Sequence, residues 1–190
     1  MIQHFATSIR ITIASVVIFG LLYPFAMTGL AQVLFPTQAN GSLVMRNGGA
    51  IGSSLIGQLW SKPQFFHGRP SAAGKNGYDP TATGGTNYGP TSKKLMDATK
   101  ATIAALQKEN PNAAMPIPID LVTSSASGID PDISPEAALY QAPRIAAARH
   151  LPVDTVNRLI ASTIEGRRFG FLGEPHVNVL KLNLALEDTR

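Results

Sequence analysis

A long stretch near the N-terminus carries no charged side chain, and this constrains the chain more than any other feature. Residues 11–45 include no Asp, Glu, Lys, Arg or His. The first part of this stretch, residues 11–35, is strongly apolar. As a helix it would be roughly 37 Å long, enough to cross a hydrocarbon core of about 30 Å with some tilt. A helix also satisfies its own backbone hydrogen bonds in lipid. The sequence therefore predicts a transmembrane anchor over residues 11–35, after a short N-terminal segment of residues 1–10.

A cleaved signal peptide is the alternative, because Gly29-Leu30-Ala31 has the small-x-small form of a cleavage site. The apolar run exceeds the usual length of about 7–15 residues, and Arg10 is the only basic side chain before it, so we favour an uncleaved anchor. Pro24 is expected to kink the helix. Arg10 and the α-amino group favour a cytoplasmic N-terminus and place the C-terminal domain outside.

The rest of the chain, residues 36–190, holds every acidic residue and every basic residue except Arg10. This length suffices for one compact core. Hydrophobic periodicity, prolines and glycines predict a mixture of helices and strands. The predicted elements are a hairpin from 42–46 and 50–58, irregular loops over 61–92 and 111–135, helices over 91–110, 135–150 with a break near Pro143, and from 152 onward, and a strand over 176–186. The predicted fold class is one N-terminal transmembrane α-helix followed by a single α+β soluble domain.

Several chemistries are excluded by missing residue types. The chain has no cysteine, which excludes a disulfide scaffold, a zinc finger and a thiol nucleophile. Gly52 and Gly57 have phosphate-loop spacing, but Gln58 and Leu59 follow where Lys and Ser/Thr are needed. The Asp-Lys-Thr-Gly signature of an aspartyl-phosphate pump is absent as well. The net charge of +4 indicates a mildly basic surface and no nucleic-acid partner. We therefore expect that this chain does not hydrolyse a nucleotide by itself.

Two loops hold the candidate binding residues. In the first, Arg69 could pair with an anion, and Asn87 follows consecutive glycines whose backbone N–H groups are free to face a ligand. In the second, Asp120, Asp130 and Asp132 lie among hydroxyl side chains, a set that could hold a hard cation. The alternative for both loops is structural: turn networks, Asx-turns and helix caps.

The order of short motifs along the whole chain resembles one family, the C subunit of the bacterial Kdp potassium-transporting ATPase. The motifs that carry the resemblance are GSLV at 41–44, GSSLIGQ at 52–58, RPSA at 69–72, GGTNYGP at 84–90, PIDLVTSSASGIDP at 118–131 and HVNVLKLNLAL at 176–186. Asp132 and His176 stand where the family usually has His and Arg.

The resemblance implies an accessory, non-hydrolysing subunit of the high-affinity, ATP-driven potassium uptake complex of the bacterial inner membrane. The implied partners are the ATP-hydrolysing pump subunit, the potassium-channel-like subunit, a small single-helix subunit and the lipid bilayer. The subunit would have no cofactor of its own and would meet ATP only through the complex. It would pass the membrane once, with residues 36–190 on the periplasmic side.

The family has also been described as a catalytic chaperone that raises the ATP affinity of the pump subunit. That alternative implies nucleotide contact at the glutamine that follows the Asp-Pro loop, which is Gln141 here. The partner-facing candidates are Arg69, Asn87, Asp120, Asp130 and Asp132.

Overall fold

The structure, a computed structural model, describes residues 2–189. Met1 and Arg190, the outer ends of the predicted segment 1–10 and domain 36–190, lie outside the described residues. The chain divides into two compact units, the first ending at Ile51 and the second beginning at Gly52.

The first unit is dominated by one long apolar helix. It consists of α1 (Ile2–Ser15), a π-helical stretch (Val16–Leu22) and α2 (Tyr23–Leu34). Its span His4–Leu34 is long and apolar enough to cross a membrane, so the predicted N-terminal apolar helix is confirmed. The π-helical turns come directly before Pro24. Proline offers no N–H and its ring clashes with the carbonyl four residues earlier, so wider turns at this point relieve the crowding.

A short helix and a hairpin follow. They are α3 (Pro36–Ala39), β1 (Leu43–Arg46) and β2 (Gly49–Ser53), with β1 paired to β2. Asn47 and Gly48 turn the chain with φ of 51° and 80°, the left-handed pair that a two-residue type I′ turn requires. The predicted hairpin is confirmed, although β2 ends at Ser53 and not at residue 58.

The second unit combines four helices with a small antiparallel sheet. Its elements are α4 (Lys93–Glu109), a 3₁₀ turn (Ile119–Leu121), β3 (Asp132–Ile133), α5 (Pro135–Arg149), α6 (Val153–Thr163), β4 (Ile164–Glu165), β5 (His176–Asn178) and α7 (Val179–Asp188). The strand order is β3-β5-β4. Helices α5, α6 and α7 pack on this sheet around a core that includes Ile133, Ile145, Ile160, Val177 and Leu182, each no more than 2% exposed. The predicted α+β class is confirmed.

The predicted start of a helix at residue 135 is also confirmed. The Ser134 side chain accepts a hydrogen bond from the Ala137 N–H at 3.0 Å, and Pro135 occupies the first turn. The predicted break at Pro143 is wrong, because α5 continues through it to Arg149. Its neighbours Ala142 and Ile145 are buried, and this packing compensates for the lost backbone hydrogen bond.

The predicted strand over residues 176–186 is wrong beyond Asn178. The Asn178 side chain accepts a hydrogen bond from the Lys181 N–H at 3.2 Å and thereby caps α7. The buried residues Val179, Leu182 and Leu186 recur at helical spacing. The leucines at 180, 182, 184 and 186 also alternate as in a strand. The two patterns point to different elements, and the cap at Asn178 decides in favour of the helix.

Candidate functional site

The two long loops are joined to each other by hydrogen bonds. The Arg69 guanidinium donates to Asp130 Oδ2 at 3.0 Å. The Ser71 hydroxyl donates to the Gly128 carbonyl at 2.5 Å, and the Gly84 N–H donates to the Ser127 carbonyl at 2.9 Å. Residues 61–90 and 111–135 therefore form one continuous surface and not two independent loops.

A cavity of about 580 Å³ opens where these loops meet the end of the sheet. Its polar lining includes Arg69, Asp120, Asp130, Asp132, Glu136, Glu174 and His176, and its apolar lining includes Met115, Ile117, Ile119 and Ile133. Four of the predicted partner-facing residues are thus brought together. Five carboxylates against one guanidinium make the cavity acidic.

The aspartates of the cavity also hold the protein's own backbone. Asp120 accepts hydrogen bonds from the Ser134 N–H at 2.7 Å and from its hydroxyl at 3.1 Å. Asp130 Oδ1 accepts from the Asp132 N–H at 3.1 Å. Across residues 2–189, no group of three or more His, Asp or Glu is arranged to hold a metal ion. Asp130 thus closes a turn with Asp132, and Asp120 bonds to the residue that precedes α5.

Asp132 lies beside His176, because β3 pairs with β5. The His176 Nε2 is 3.9 Å from Asp132 Oδ2 and 3.8 Å from Glu165 Oε2. Burial raises the pKa of Asp132, while a hydrogen bond from Asn178 and the nearby His176 oppose that rise. The hydrogen bond from Lys181 lowers the pKa of Glu165. Asp132 and His176, on paired strands, are therefore neighbours in space.

Gln141 lies apart from the cavity, in the core. It is 1% exposed. Its Oε1 accepts from the His67 N–H at 2.8 Å and from the Arg144 guanidinium at 2.7 Å, and its Nε2 donates to the His67 carbonyl at 3.1 Å. Asn183 makes the equivalent pair with Phe66, at 2.8 and 3.0 Å. The buried side-chain amides of Gln141 and Asn183 thus each bond to both the N–H and the carbonyl of one residue in the pair 66–67.

Asn87 does not join the acidic cavity either. It is exposed and has a φ of 54°, a left-handed conformation that asparagine tolerates better than most residues. Its neighbours Thr86 and Tyr88 line a separate cavity of about 320 Å³.

The sequence did not single out Glu136 or Glu174 as cavity residues. Glu136 lies in the first turn of α5. Glu174 is ion-paired with Arg167 at 2.5 Å and reaches the cavity because β4 and β5 pair. The pairing of two strands of two and three residues leaves no usable periodicity in the sequence.

Acid is expected to weaken the attachment of the first loop. Burial, reinforced by the Arg144 charge, lowers the pKa of His67 below its ordinary value of 6.5. The unfolded chain therefore takes up a proton as pH falls through 6.5 while the folded chain resists it, so stability is present above that pH and lost below it. The melting temperature should fall between about pH 7.5 and 5.5, and less so in His67→Gln. Equal declines in both proteins would contradict this assignment.

Comparison with known proteins identifies relatives along nearly the whole chain. Residues 5–188 match the family described as KdpC: K+-transporting ATPase, c chain. The chain is 56% identical to the potassium-transporting ATPase KdpC subunit of Acidobacterium capsulatum, over 97% of this chain and 98% of the relative. It is 52% identical to the same subunit of Methylobacterium nodulans, over 99% and 98%. It is 49% identical to that of Methylococcus capsulatus, over 100% of both chains.

Proposed function

The chain belongs to the KdpC family, the c chains of K+-transporting ATPases, and on that premise we propose that it is an accessory, non-hydrolysing subunit that assembles or stabilises the complex. In this proposal the helix His4–Leu34 anchors the subunit in the inner membrane, and residues 52–190 act on the outer side. Its partners are the ATP-hydrolysing subunit, the channel-like subunit and the small single-helix subunit.

Assignment of ATP hydrolysis to a partner is supported by the sequence. The chain contains neither a Gly-x-x-x-x-Gly-Lys-Ser/Thr loop nor an Asp-Lys-Thr-Gly signature, which are the segments that hold phosphate or accept it in nucleotide-driven proteins. The weak positive charge before the helix supports the outward placement of the domain.

Within the domain, one observation supports the proposal most strongly: Arg69 and Asp130 join the two loops. Long loops held by a rigid core are where binding surfaces usually lie. The ion pair is only partly exposed, at 26% for Arg69 and 28% for Asp130, so it fixes the rim of the acidic cavity. The five carboxylates that line this cavity would favour binding of a basic segment of a partner subunit, because the charges would be complementary.

Replacing Arg69 with alanine is expected to lower the potassium-stimulated ATPase activity of the assembled transporter. Truncating an arginine that anchors an interface costs about 1 kcal/mol or more, roughly fivefold in affinity. The assay is ATP hydrolysis against subunit concentration. Lys75→Ala is the matched control, since Lys75 is exposed in the same loop. Unchanged activity combined with a lower melting temperature would show that Arg69 serves the fold alone.

Co-purification tests the proposal as a whole. A tag on this chain should recover three further membrane subunits from mild detergent, and ATP hydrolysis should require a partner subunit and be absent from this chain alone. Recovery of the chain alone, or hydrolysis by the isolated chain, would contradict an accessory role.

The chaperone alternative requires nucleotide to reach Gln141. The burial of Gln141 and its three hydrogen bonds to Arg144 and His67 support a structural role instead. We therefore propose that Gln141 positions the first loop and that any effect on ATP affinity passes through subunit contacts.

A further inference from the structure

The connection between β4 and β5 ends in an exposed apolar tip, residues 169–172, that the proposed function leaves unexplained. Phe169, Phe171 and Leu172 expose 86%, 74% and 55% of their surface. Single exposed apolar side chains are ordinary on protein surfaces. Three such residues within one four-residue turn concentrate exposed apolar surface, which is typical of a contact surface.

The backbone of the turn holds the apolar tip in one shape. Arg168 and Leu172 exchange two N–H to carbonyl hydrogen bonds, each 2.9 Å long. The Gly170 N–H donates to the Arg167 carbonyl at 3.1 Å. Phe169 has a φ of 55°, a left-handed conformation that is rare for a bulky residue and requires support from its surroundings. The rings are therefore presented outward by a preformed turn.

The two charged side chains directly before the apolar tip, Arg167 and Arg168, are both basic. Glu174 is paired with Arg167 at 2.5 Å, and Glu165 is paired with Lys181 at 2.7 Å. Arg168, directly before the first phenylalanine, belongs to neither of these ion pairs. Aromatic rings beside an arginine are typical of segments at a membrane surface, where the rings lie at the level of the headgroups and the guanidinium meets phosphate.

In the proposed function the apolar helix lies in the bilayer, so the chain tethers the second unit to a lipid surface. The apolar helix ends at Leu34 and the second unit begins at Gly52. The intervening residues 35–51 would span at most about 60 Å even if fully extended. A lipid surface is therefore always within reach of the domain, whether or not other subunits are bound.

We propose that the apolar tip docks on the lipid bilayer. Phe169, Phe171 and Leu172 enter the interfacial layer, and Arg168 contacts lipid phosphate. This contact gives the domain a second attachment to the membrane beside its helix. It does not depend on assembly with partner subunits.

A single introduced cysteine tests this directly, because the chain has none of its own. Full-length Phe171→Cys, labelled with an environment-sensitive nitrobenzoxadiazole dye, is reconstituted into vesicles of phosphatidylcholine and phosphatidylglycerol. Its emission is expected to shift to the blue and to be quenched by nitroxide-labelled lipid. The same dye at Lys75→Cys, in an exposed loop of the same unit, is the matched control and should keep the emission of a label in water.

Two further variants keep the result interpretable. Phe169→Ser in the labelled chain should reduce the blue shift without changing the melting temperature, since Phe169 is exposed. Arg168→Gln should reduce the shift in anionic vesicles and leave it unchanged in vesicles of phosphatidylcholine alone. Water-like emission of the dye at position 171 in vesicles would overturn the proposal. So would a blue shift that appears only in the assembled transporter and is not quenched by nitroxide lipid, because the tip would then contact a protein subunit.

Discussion

Replacing Gln141 with leucine is expected to lower the free energy of unfolding of the second unit by about 3 kcal/mol, which corresponds to roughly 10 °C in melting temperature. Leucine fills nearly the same space but cannot bond to the backbone of His67 or to the Arg144 guanidinium. Each buried polar group left without a partner costs about 1–3 kcal/mol. The measurement is thermal or urea unfolding of the full-length chain in detergent.

Gln107→Leu is the matched control, because Gln107 is exposed on α4 and should change stability by less than about 0.5 kcal/mol. A Gln141→Leu protein of unchanged stability, but with weaker ATP binding in the assembled transporter, would contradict the structural role and favour the chaperone alternative.

Replacing Gly128 with alanine is expected to be at least as damaging, with a loss of about 3 kcal/mol or more. The new Cβ would lie 2.7 Å from Ala73 Cβ, 2.8 Å from the Ala73 nitrogen and 2.9 Å from the Gly84 carbonyl oxygen. Gly128 also has a φ of 70°, where a side chain costs about 1–2 kcal/mol. Overpacking adds about 1–3 kcal/mol. The substitution would therefore force the two loops apart at the rim of the acidic cavity.

Gly173→Ala separates these two contributions. Gly173 has a φ of 81°, and a Cβ there would meet no atom of the described residues within 4 Å. Gly173→Ala should show only the backbone penalty, about 1–2 kcal/mol. The measurement is the unfolding midpoint of each variant. Equal losses of stability in the two variants would mean that the close contact between the loops at Gly128 contributes nothing to stability. A loss of potassium-stimulated activity is expected only for Gly128→Ala.

The sequence predicted the elements whose signals are local. The apolar helix follows from a run without charges, the hairpin from Asn47 and Gly48, and the start of α5 from the hydroxyl of Ser134 before a proline. Where several local signals compete, prediction failed. Four alternating leucines favoured a strand after His176, whereas the cap at Asn178 and the burial of Val179, Leu182 and Leu186 produce a helix.

The site was predictable by residue type but not by arrangement. Arg69 and three aspartates stand out in the sequence because they are charges within long loops, and the structure does place them around one cavity. No local pattern indicates that Arg69 pairs with Asp130, 61 residues away. Nor does one indicate that Gln141 and Asn183 hold residues 66–67. The contacts of Gln141 and Asn183 depend on the tertiary packing of α5 and α7, which has no signature in either loop.

The orientation of the domain is the part of the proposal that most directly separates an outward accessory subunit from a cytoplasmic nucleotide-binding regulator. Ser162 lies on the exposed side of α6, where its hydroxyl bonds only to the Leu159 carbonyl of the same helix, at 2.8 Å, so Ser162→Cys should leave the fold intact. The measurement is labelling of this single thiol in intact cells whose outer membrane has been made permeable, with a maleimide that cannot cross the inner membrane. Full labelling is expected before the inner membrane is opened. Labelling that appears only after the inner membrane is opened would contradict it.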